Sequence, residues 1–380
     1  MPALSSPKIK FKYEEVDWSE FKLSIQKKIE EDSKDKTFYE KYKITERDFL
    51  IFKEKAFDLD WLTNQEKNSI FEFDKSSEKR ILFLFHRFRY SFMPQARITP
   101  SIPSYVLIEP SSICNMRCPM CFQTDKSFTT KDYMGKIEID FFKSIIDECH
   151  KEGVGALTLA SRGEPTLHPD LIDMLNYVKG KFFEVKINTN ASRLNTKLSE
   201  AIISSVNHVV FSIDSHISKE YEVIRKGGKF DNVLNNVKEF WRIRNSEKFS
   251  SKKLRVSISG IKVYDSQDPV GFRKFWESYA DDAYLNPAEE RWDTYNNKSD
   301  DALKQSCIYP WERLYIWHDG VVNTCDVDYK SFLSPGNLKN GGSMINCWKE
   351  LNKLRNIHLK GERTKILPCD RCGVSHPVKK

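Results

Sequence analysis

Three cysteines stand close together near the middle of the chain, in Cys114-Asn-Met-Arg-Cys118-Pro-Met-Cys121. Gaps of three and then two residues let these thiolates wrap one face of a cubane 4Fe-4S cluster, and three ligands leave the fourth iron without a protein ligand. An open iron can bind a small molecule, as a catalytic metal lacking one protein ligand does. A second group, Cys307, Cys325, Cys369 and Cys372, offers four thiolates, enough to ligate a further 4Fe-4S cluster completely. A saturated cluster takes substrate at iron only by losing a ligand, so electron transfer is its natural use. Zinc is the competing occupant in both places. It suits the first group poorly, because structural zinc wants a fourth protein ligand and none lies near, and the second group better, because four thiolates match its tetrahedral geometry.

These residues need a scaffold, and the composition allows a large one. Hydrophobic residues make up 39% of the 380 positions and charged ones 30%, an ordinary balance for a folded protein. The net charge of +7 is spread along the chain, so no polybasic arm demands a nucleic-acid partner or an anionic membrane. No apolar run is long enough to span a bilayer, and MPALSSPKIK lacks the apolar core of a signal peptide, so a cytoplasmic location is expected. Nine cysteines in that setting fit metal or redox chemistry better than disulfides.

Residues 1–100 show helical periodicity in Trp18, Phe21, Ile25 and Ile29 and again from Ile81 to Phe92, and are read as a helical extension. Pro94, Pro100 and Pro103 mark its end. Residues 101–290 alternate short apolar runs with longer amphipathic ones, the pattern of repeated β/α units around a parallel sheet. Six strands are expected: Tyr105–Glu109, Ala156–Ala160, Phe183–Asn188, His208–Ile213, Leu254–Ile261 and Ala283–Asn286. They describe an α/β fold, a partial TIM-like (β/α)6 barrel, with Asp140, Asn195 and Ser218 as helix caps. Residues 291–380 form a small C-terminal module. Arg313–Trp317 and Val321–Thr324 flank Asp319-Gly320, a hairpin signal, and Ser343–His358 reads as one helix.

The three-cysteine spacing directly after the first strand resembles the signature of the radical SAM superfamily. The resemblance extends over roughly residues 105–265. It implies that S-adenosylmethionine chelates the open iron, that an electron cleaves its sulfonium, and that the 5′-deoxyadenosyl radical removes a hydrogen atom from substrate. Ser161-Arg162-Gly163-Glu164-Pro165 is similar to the family's glycine-glutamate motif, with Arg162 where a Gly often stands. Gly163 would then admit a close backbone approach and Glu164 would accept from the methionine ammonium. Asn188 and Asn190 at the end of strand three, and Ser212 and Asp214 at the end of strand four, match positions that meet the ribose or methionine in this family. Arg225 resembles the arginine that binds the methionine carboxylate. Met120 stands where an aromatic often lies beside adenine. Turn capping or surface pairing would explain Asn188, Asn190, Ser212, Asp214 and Arg225 equally well.

Cys307, twelve residues, Gly320, four residues and Cys325 resemble the opening of the family's SPASM and twitch extensions, and the shorter twitch form fits the ending Cys369-Asp-Arg-Cys372. The implied cofactors are two 4Fe-4S clusters and S-adenosylmethionine, with an external electron donor such as a flavodoxin or ferredoxin. By similarity to 2-deoxy-scyllo-inosamine dehydrogenase-like enzymes, the leading expectation is oxidation of a sugar-like or aminocyclitol alcohol. Peptide modification and sugar epimerisation are the alternatives, and a non-catalytic zinc protein is the remote one. Trp311, Arg313, Tyr315, Asp326 and Asp328 are the candidate substrate-facing residues, Arg313 for an acidic group and Asp326 or Asp328 as proton acceptor. Cys149, in register with Phe141 and Ile145, reads as a packed core thiol. Cys347 reads as core too, with a spare ligand or a hydrogen-atom donor as alternatives.

Overall fold

The computed structural model describes residues 18–55, 59–63, 66–67, 70, 78–288, 295–296 and 305–373. The segment MPALSSPKIK and the side chain of Trp18 lie outside the described residues. The chain divides into two compact units, residues 1–104 and 105–380.

The first unit is helical, as its periodicity predicts. Helices Trp18–Asp32, Lys36–Tyr42, Glu46–Lys55 and Glu78–Arg87 bury one face each, with Phe21, Ile25 and Ile29 inward on the first. Phe49, Phe52, Phe85 and Phe88 meet edge-on or tilted with ring centroids 5.3–5.6 Å apart, a geometry that suits their quadrupoles. The buried Asp48 carboxylate accepts from the Ser101 backbone and hydroxyl at 2.8 Å, which ties the end of the unit to its third helix.

The second unit is an α/β fold built on one sheet of nine strands. We number them β1 Tyr105–Ile108, β2 Ala156–Leu159, β3 Glu184–Thr189, β4 His208–Ser212, β5 Arg255–Lys262, β6 Asp282–Pro287, β7 Leu314–Ile316, β8 Val321–Asn323 and β9 Gly336–Asn337. Their order is β6-β5-β4-β3-β2-β1-β7-β8-β9. Strands β1 to β6 run parallel, in the sequential order of a partial TIM-like barrel. Val106, Leu157, Val185, Val209 and Val256 face the surrounding helices and form the core with Phe142, Met174, Ile202 and Phe240. Intervening residues such as Leu107, Thr158, Lys186 and His208 therefore face the concave side.

Strand β7 joins the barrel sheet itself, pairing parallel to β1 with Val106 opposite Leu314 and Ile108 opposite Ile316. This hairpin falls within residues 291–380, expected as a small C-terminal module. Leu314 and Ile316 are fully buried in the same core as Val106 and Ile108, so the strand's alternation fits the open β1 edge and covers it. The antiparallel hairpin β7-β8 turns at Gly320, whose φ of +86° favours glycine.

Three local expectations are corrected. Asp140 lies inside helix Ile139–Glu152, one residue past its start, and Ser218 is the first residue of helix Ser218–Ile224, so neither caps. Asn195 does cap, accepting from Leu198 N at 3.0 Å. Ser343–His358 is two helices, Met344–Glu350 and Asn352–Leu359, and the Arg355 guanidinium donates to the Trp348 carbonyl at 2.8 Å beside the break. Cys149 and Cys347 are buried core thiols, Cys149 lying 3.5 Å from the Met344 sulfur. Among the described residues no helix is long and apolar enough to cross a membrane.

Candidate functional site

The first three cysteines sit on the loop after β1, at the C-terminal end of the parallel strands, where such barrels gather their chemistry. Neighbouring loops hold that loop in place. Gln123 donates from its side chain to the Ser112 carbonyl at 2.7 Å and the Arg162 carbonyl at 2.5 Å. Glu164 N donates to the Ile113 carbonyl at 2.9 Å. A Cβ on Gly163 would stand 2.3 Å from the Ser111 carbonyl oxygen, so only glycine lets the β2 loop lie against the cysteine loop. From the β4 side, Arg117 N donates to the Lys226 carbonyl at 2.9 Å.

Cys118 is buried, and Cys114 and Cys121 are partly exposed. Burial pushes the Cys114 thiol up to about 11 and Cys121 up to about 12, and raises Cys118 as well. Iron would displace these protons, since a coordinating thiol is deprotonated. Arg225 sits beside the Cys118 thiol and forms an ion pair with the buried Asp214 through Nε and Oδ2. The residue expected to receive a methionine carboxylate is thus already paired, and Asp214 Oδ1 also accepts from Ile261 N at 2.8 Å.

Glu164 is buried and well occupied. Its Oε1 accepts from Thr166 N and Oγ1 and from Thr189 Oγ1, while Oε2 accepts from Asn190 N at 2.7 Å. One further donor, such as an ammonium, can be accommodated at Oε2. Asn190 is buried and donates from Nδ2 to Asn115 Oδ1 at 3.0 Å, which fastens the β3 loop to the cysteine loop. Ser212 and Met120 are partly exposed. The Asn188 Oδ1 and Ser161 Oγ atoms are buried without a hydrogen-bond partner, and Ser161 has a φ of +135°, strained for a residue with a side chain. Unsatisfied polar atoms around three clustered thiols fit a polar small molecule bound beside an iron-sulfur cluster.

The second cysteine group assembles from distant parts of the chain. Cys307, Cys325, Cys369 and Cys372 line one small cavity, with Val327, Leu333 and Leu354 among its apolar walls. Asn323 holds the Cys325 loop by donating to the carbonyls of Cys325 at 2.9 Å and Asp328 at 2.6 Å. Arg363 holds the tail by donating to the Cys372 carbonyl at 3.1 Å, and the short turn Cys369–Arg371 sets the last two thiols side by side. Among the described residues, no three Cys, His, Asp or Glu side chains converge tightly enough for a single metal ion. Zinc requires sulfurs at about 2.3 Å from one centre, whereas a cubane spreads its four ligands over four corners.

The expected substrate-facing residues separate. Trp311 is fully buried, its ring 6.4 Å from His358, and is packing. Asp328 is fully buried, where its carboxylate accepts from the Tyr295 hydroxyl and from Phe332 N and Leu333 N; burial raises its pKa to about 6. Those bonds make it a loop clasp. Asp326 is partly exposed near the buried Tyr315, which packs with Leu107 and Trp317. Arg313 pairs with Glu312 and lies 5.0 Å from the Tyr105 ring and 5.2 Å from the Tyr309 ring, between the concave face and the second cysteine cavity.

Sequence reasoning missed a buried ionic cluster between the two cysteine groups. Glu109, just past β1, receives both arms of the Arg162 guanidinium at 2.7 Å, and His318 Nδ1 lies 3.1 Å from its Oε1. Arg162 also donates to the Tyr329 carbonyl at 2.9 Å and lies 4.2 Å from the Trp317 ring. Burial alone would raise the Glu109 pKa, but Arg162 and His318 overcome it and hold the carboxyl at about 2. The departure from glycine at position 162 was the one signal available.

Residues 108–243 match the Radical SAM superfamily. The chain is 35% identical over 112 residues to the tungsten-containing aldehyde ferredoxin oxidoreductase cofactor-modifying protein of Pyrococcus furiosus, covering 29% of this chain and 30% of that protein. It is 22% identical over 199 residues, 52% of each, to the mycofactocin maturase MftC of Mycobacterium ulcerans. The chain thus spans about half or less of these relatives. Streptococcus suis SuiB bound to S-adenosylmethionine shares the fold, with a TM-score of 0.50 at 17% identity over 87% of this chain and 84% of that one.

Proposed function

From the premise that residues 108–243 form a radical SAM domain, we propose that the protein is a radical SAM oxidoreductase acting on a sugar-like or aminocyclitol alcohol. Cys114, Cys118 and Cys121 hold the catalytic cluster, and Cys307, Cys325, Cys369 and Cys372 hold an auxiliary one. When bound, the cluster and S-adenosylmethionine supply a 5′-deoxyadenosyl radical, and the auxiliary cluster supplies an acceptor for one electron. Removing a hydrogen atom from the carbinol carbon, a proton from its hydroxyl and one electron leaves a ketone. Glu164 Oε2 and Asn188 Oδ1 hold polar groups of S-adenosylmethionine. Gly163 keeps the cysteine loop in register, and the Arg225–Asp214 pair places a positive charge beside Cys118. Asp326 takes the hydroxyl proton, because it is partly exposed while Asp328 is committed to its loop. A flavodoxin or ferredoxin supplies the electron for cleavage.

The observation that carries this reading is the convergence of four thiols, from residues 307 to 372, on one cavity. The test is anaerobic turnover of the reconstituted protein with candidate alcohols, with 5′-deoxyadenosine and ketone both quantified. Replacing Cys369 and Cys372 by Ala should leave nucleoside formation and stop ketone formation. Unchanged ketone would remove the auxiliary cluster from the reaction. Maturation of a peptide or cofactor precursor is the second reading, favoured by the match to a maturase over 52% of the chain. Turnover of a peptide substrate with no alcohol oxidised would select it.

A further inference from the structure

Strand β3 presents Lys186 to the concave side of the sheet, since Val185 and Ile187 on either side are buried in the helix-facing core. Its neighbours in register are Thr158 on β2 and His208 on β4. Both are satisfied elsewhere, Thr158 by the Tyr105 hydroxyl at 2.6 Å and His208 by Ser257 at 2.8 Å. Arg255, in register beyond His208, pairs with Asp282 at 2.8 Å, and Arg313 pairs with Glu312. The Lys186 ammonium has no hydrogen bond or ion pair among the described residues.

The charges around it explain why this matters. Burial first, then Arg313 and Arg255, lower the Lys186 pKa against the pull of Glu184. Arg313 adjoins β7, three strand spacings from β3, a separation of about 14 Å in a flat sheet. Its influence on Lys186 follows from the curl of the barrel, which brings side chains from β7, β3 and β5 toward one lumen. His208 is kept neutral there, its pKa lowered to about 3 by burial and then by Lys186 and Arg255. A half-buried cation with no direct ion pair, only the more distant Glu184 carboxylate, is costly unless something supplies the opposite charge.

We infer that Lys186 holds an anionic group of the substrate, a phosphate or a carboxylate, on the concave face of the sheet. This names the charge of the substrate and rests on the reading above only in placing that substrate inside the barrel. Arg313 and Arg255, already paired, and the single carboxylate of Glu184 are the charges that act on Lys186, a balance that favours an anion over a neutral sugar. The Lys186 ammonium donates to the anion's oxygens.

The test uses the full-length reconstituted protein without S-adenosylmethionine, so that it succeeds or fails independently of radical chemistry. Inorganic phosphate, acetate and neutral inositol are titrated, with binding followed by nuclear magnetic resonance line broadening of each ligand. Wild type should bind phosphate or acetate and not inositol, and the anion that binds identifies phosphate or carboxylate as the recognised group. Lys186→Gln should weaken that binding by about ten- to a hundredfold, and Lys186→Arg should retain most of it. Circular dichroism of both variants checks the fold, and the arginine variant separates loss of charge from loss of structure. Anion binding equal in Lys186→Gln and wild type, or no anion binding to wild type, would overturn the inference.

Discussion

The two cysteine groups differ in how many thiols they bring together and in which part of the fold carries them. Around Cys114, Cys118 and Cys121 the protein places glycine, charged pairs and unsatisfied polar atoms at the open ends of parallel strands. Around Cys307, Cys325, Cys369 and Cys372 it places Val327, Leu333 and Leu354 together with Thr324, His358 and Arg363, and brings four thiols to one cavity. Three thiolates on a cluster would leave one iron open to a small molecule, whereas four would leave none open. The ionic cluster of Glu109, Arg162 and His318 stands between them, joining the barrel strands to the C-terminal hairpin.

If that contrast is functional, damage to each group should differ in kind. Cys118→Ala should abolish 5′-deoxyadenosine formation, whereas Cys369→Ala should leave it and uncouple it from product; chromatography of quenched reactions reads both. Arg162→Ala strands the Glu109 carboxylate in the interior and should cost about 3–5 kcal/mol of stability in urea unfolding. Replacing Glu109 and Arg162 together by Gln and Met should recover much of that loss, because no buried charge is then left alone.

The same cluster makes a pH signature. Glu109 has a depressed folded pKa of about 2, so its contribution is complete above the ordinary glutamate range near pH 4.5 and is lost as pH falls toward 2. Unfolding free energy should fall by about 3 kcal/mol over that window from this group. Glu109→Gln should flatten that part of the profile. A smaller effect is expected from Gly163→Ala, whose Cβ would push on Ser111 and shift the cysteine loop. Nucleoside formation should drop about a hundredfold with little change in melting temperature. Asn195→Ala, at a helix start outside both groups, should cost only about 1 kcal/mol and leave both clusters intact, as iron content will report.

Much of this was legible in the residues. The six barrel strands announce themselves because buried Val, Leu and Ile recur between turn signals, and the cysteine spacings are local. What was hidden depends on partners far away in sequence. Nothing near Leu314 says that β7 pairs with β1, because that fit depends on an open edge some two hundred residues earlier. Arg225 resembled a free anion binder until Asp214 was seen beside it, and Asp328 a proton acceptor until Tyr295 and two backbone amides were seen to occupy it. Cap positions at Asp140 and Ser218 missed by two residues and by one because an acidic or hydroxyl side chain suits the first turn as well as the cap.

The most direct measurement is iron and sulfide content with electron paramagnetic resonance, before and after adding S-adenosylmethionine. It is made on the anaerobically reconstituted wild type and on the variant with Cys114, Cys118 and Cys121 all replaced by Ala. Wild type should hold about eight irons with a signal that S-adenosylmethionine perturbs, and the variant about four with a signal that it leaves unchanged. Zinc without sulfide at either group, or a variant whose remaining cluster still responds to S-adenosylmethionine, would contradict the division into one open and one closed site.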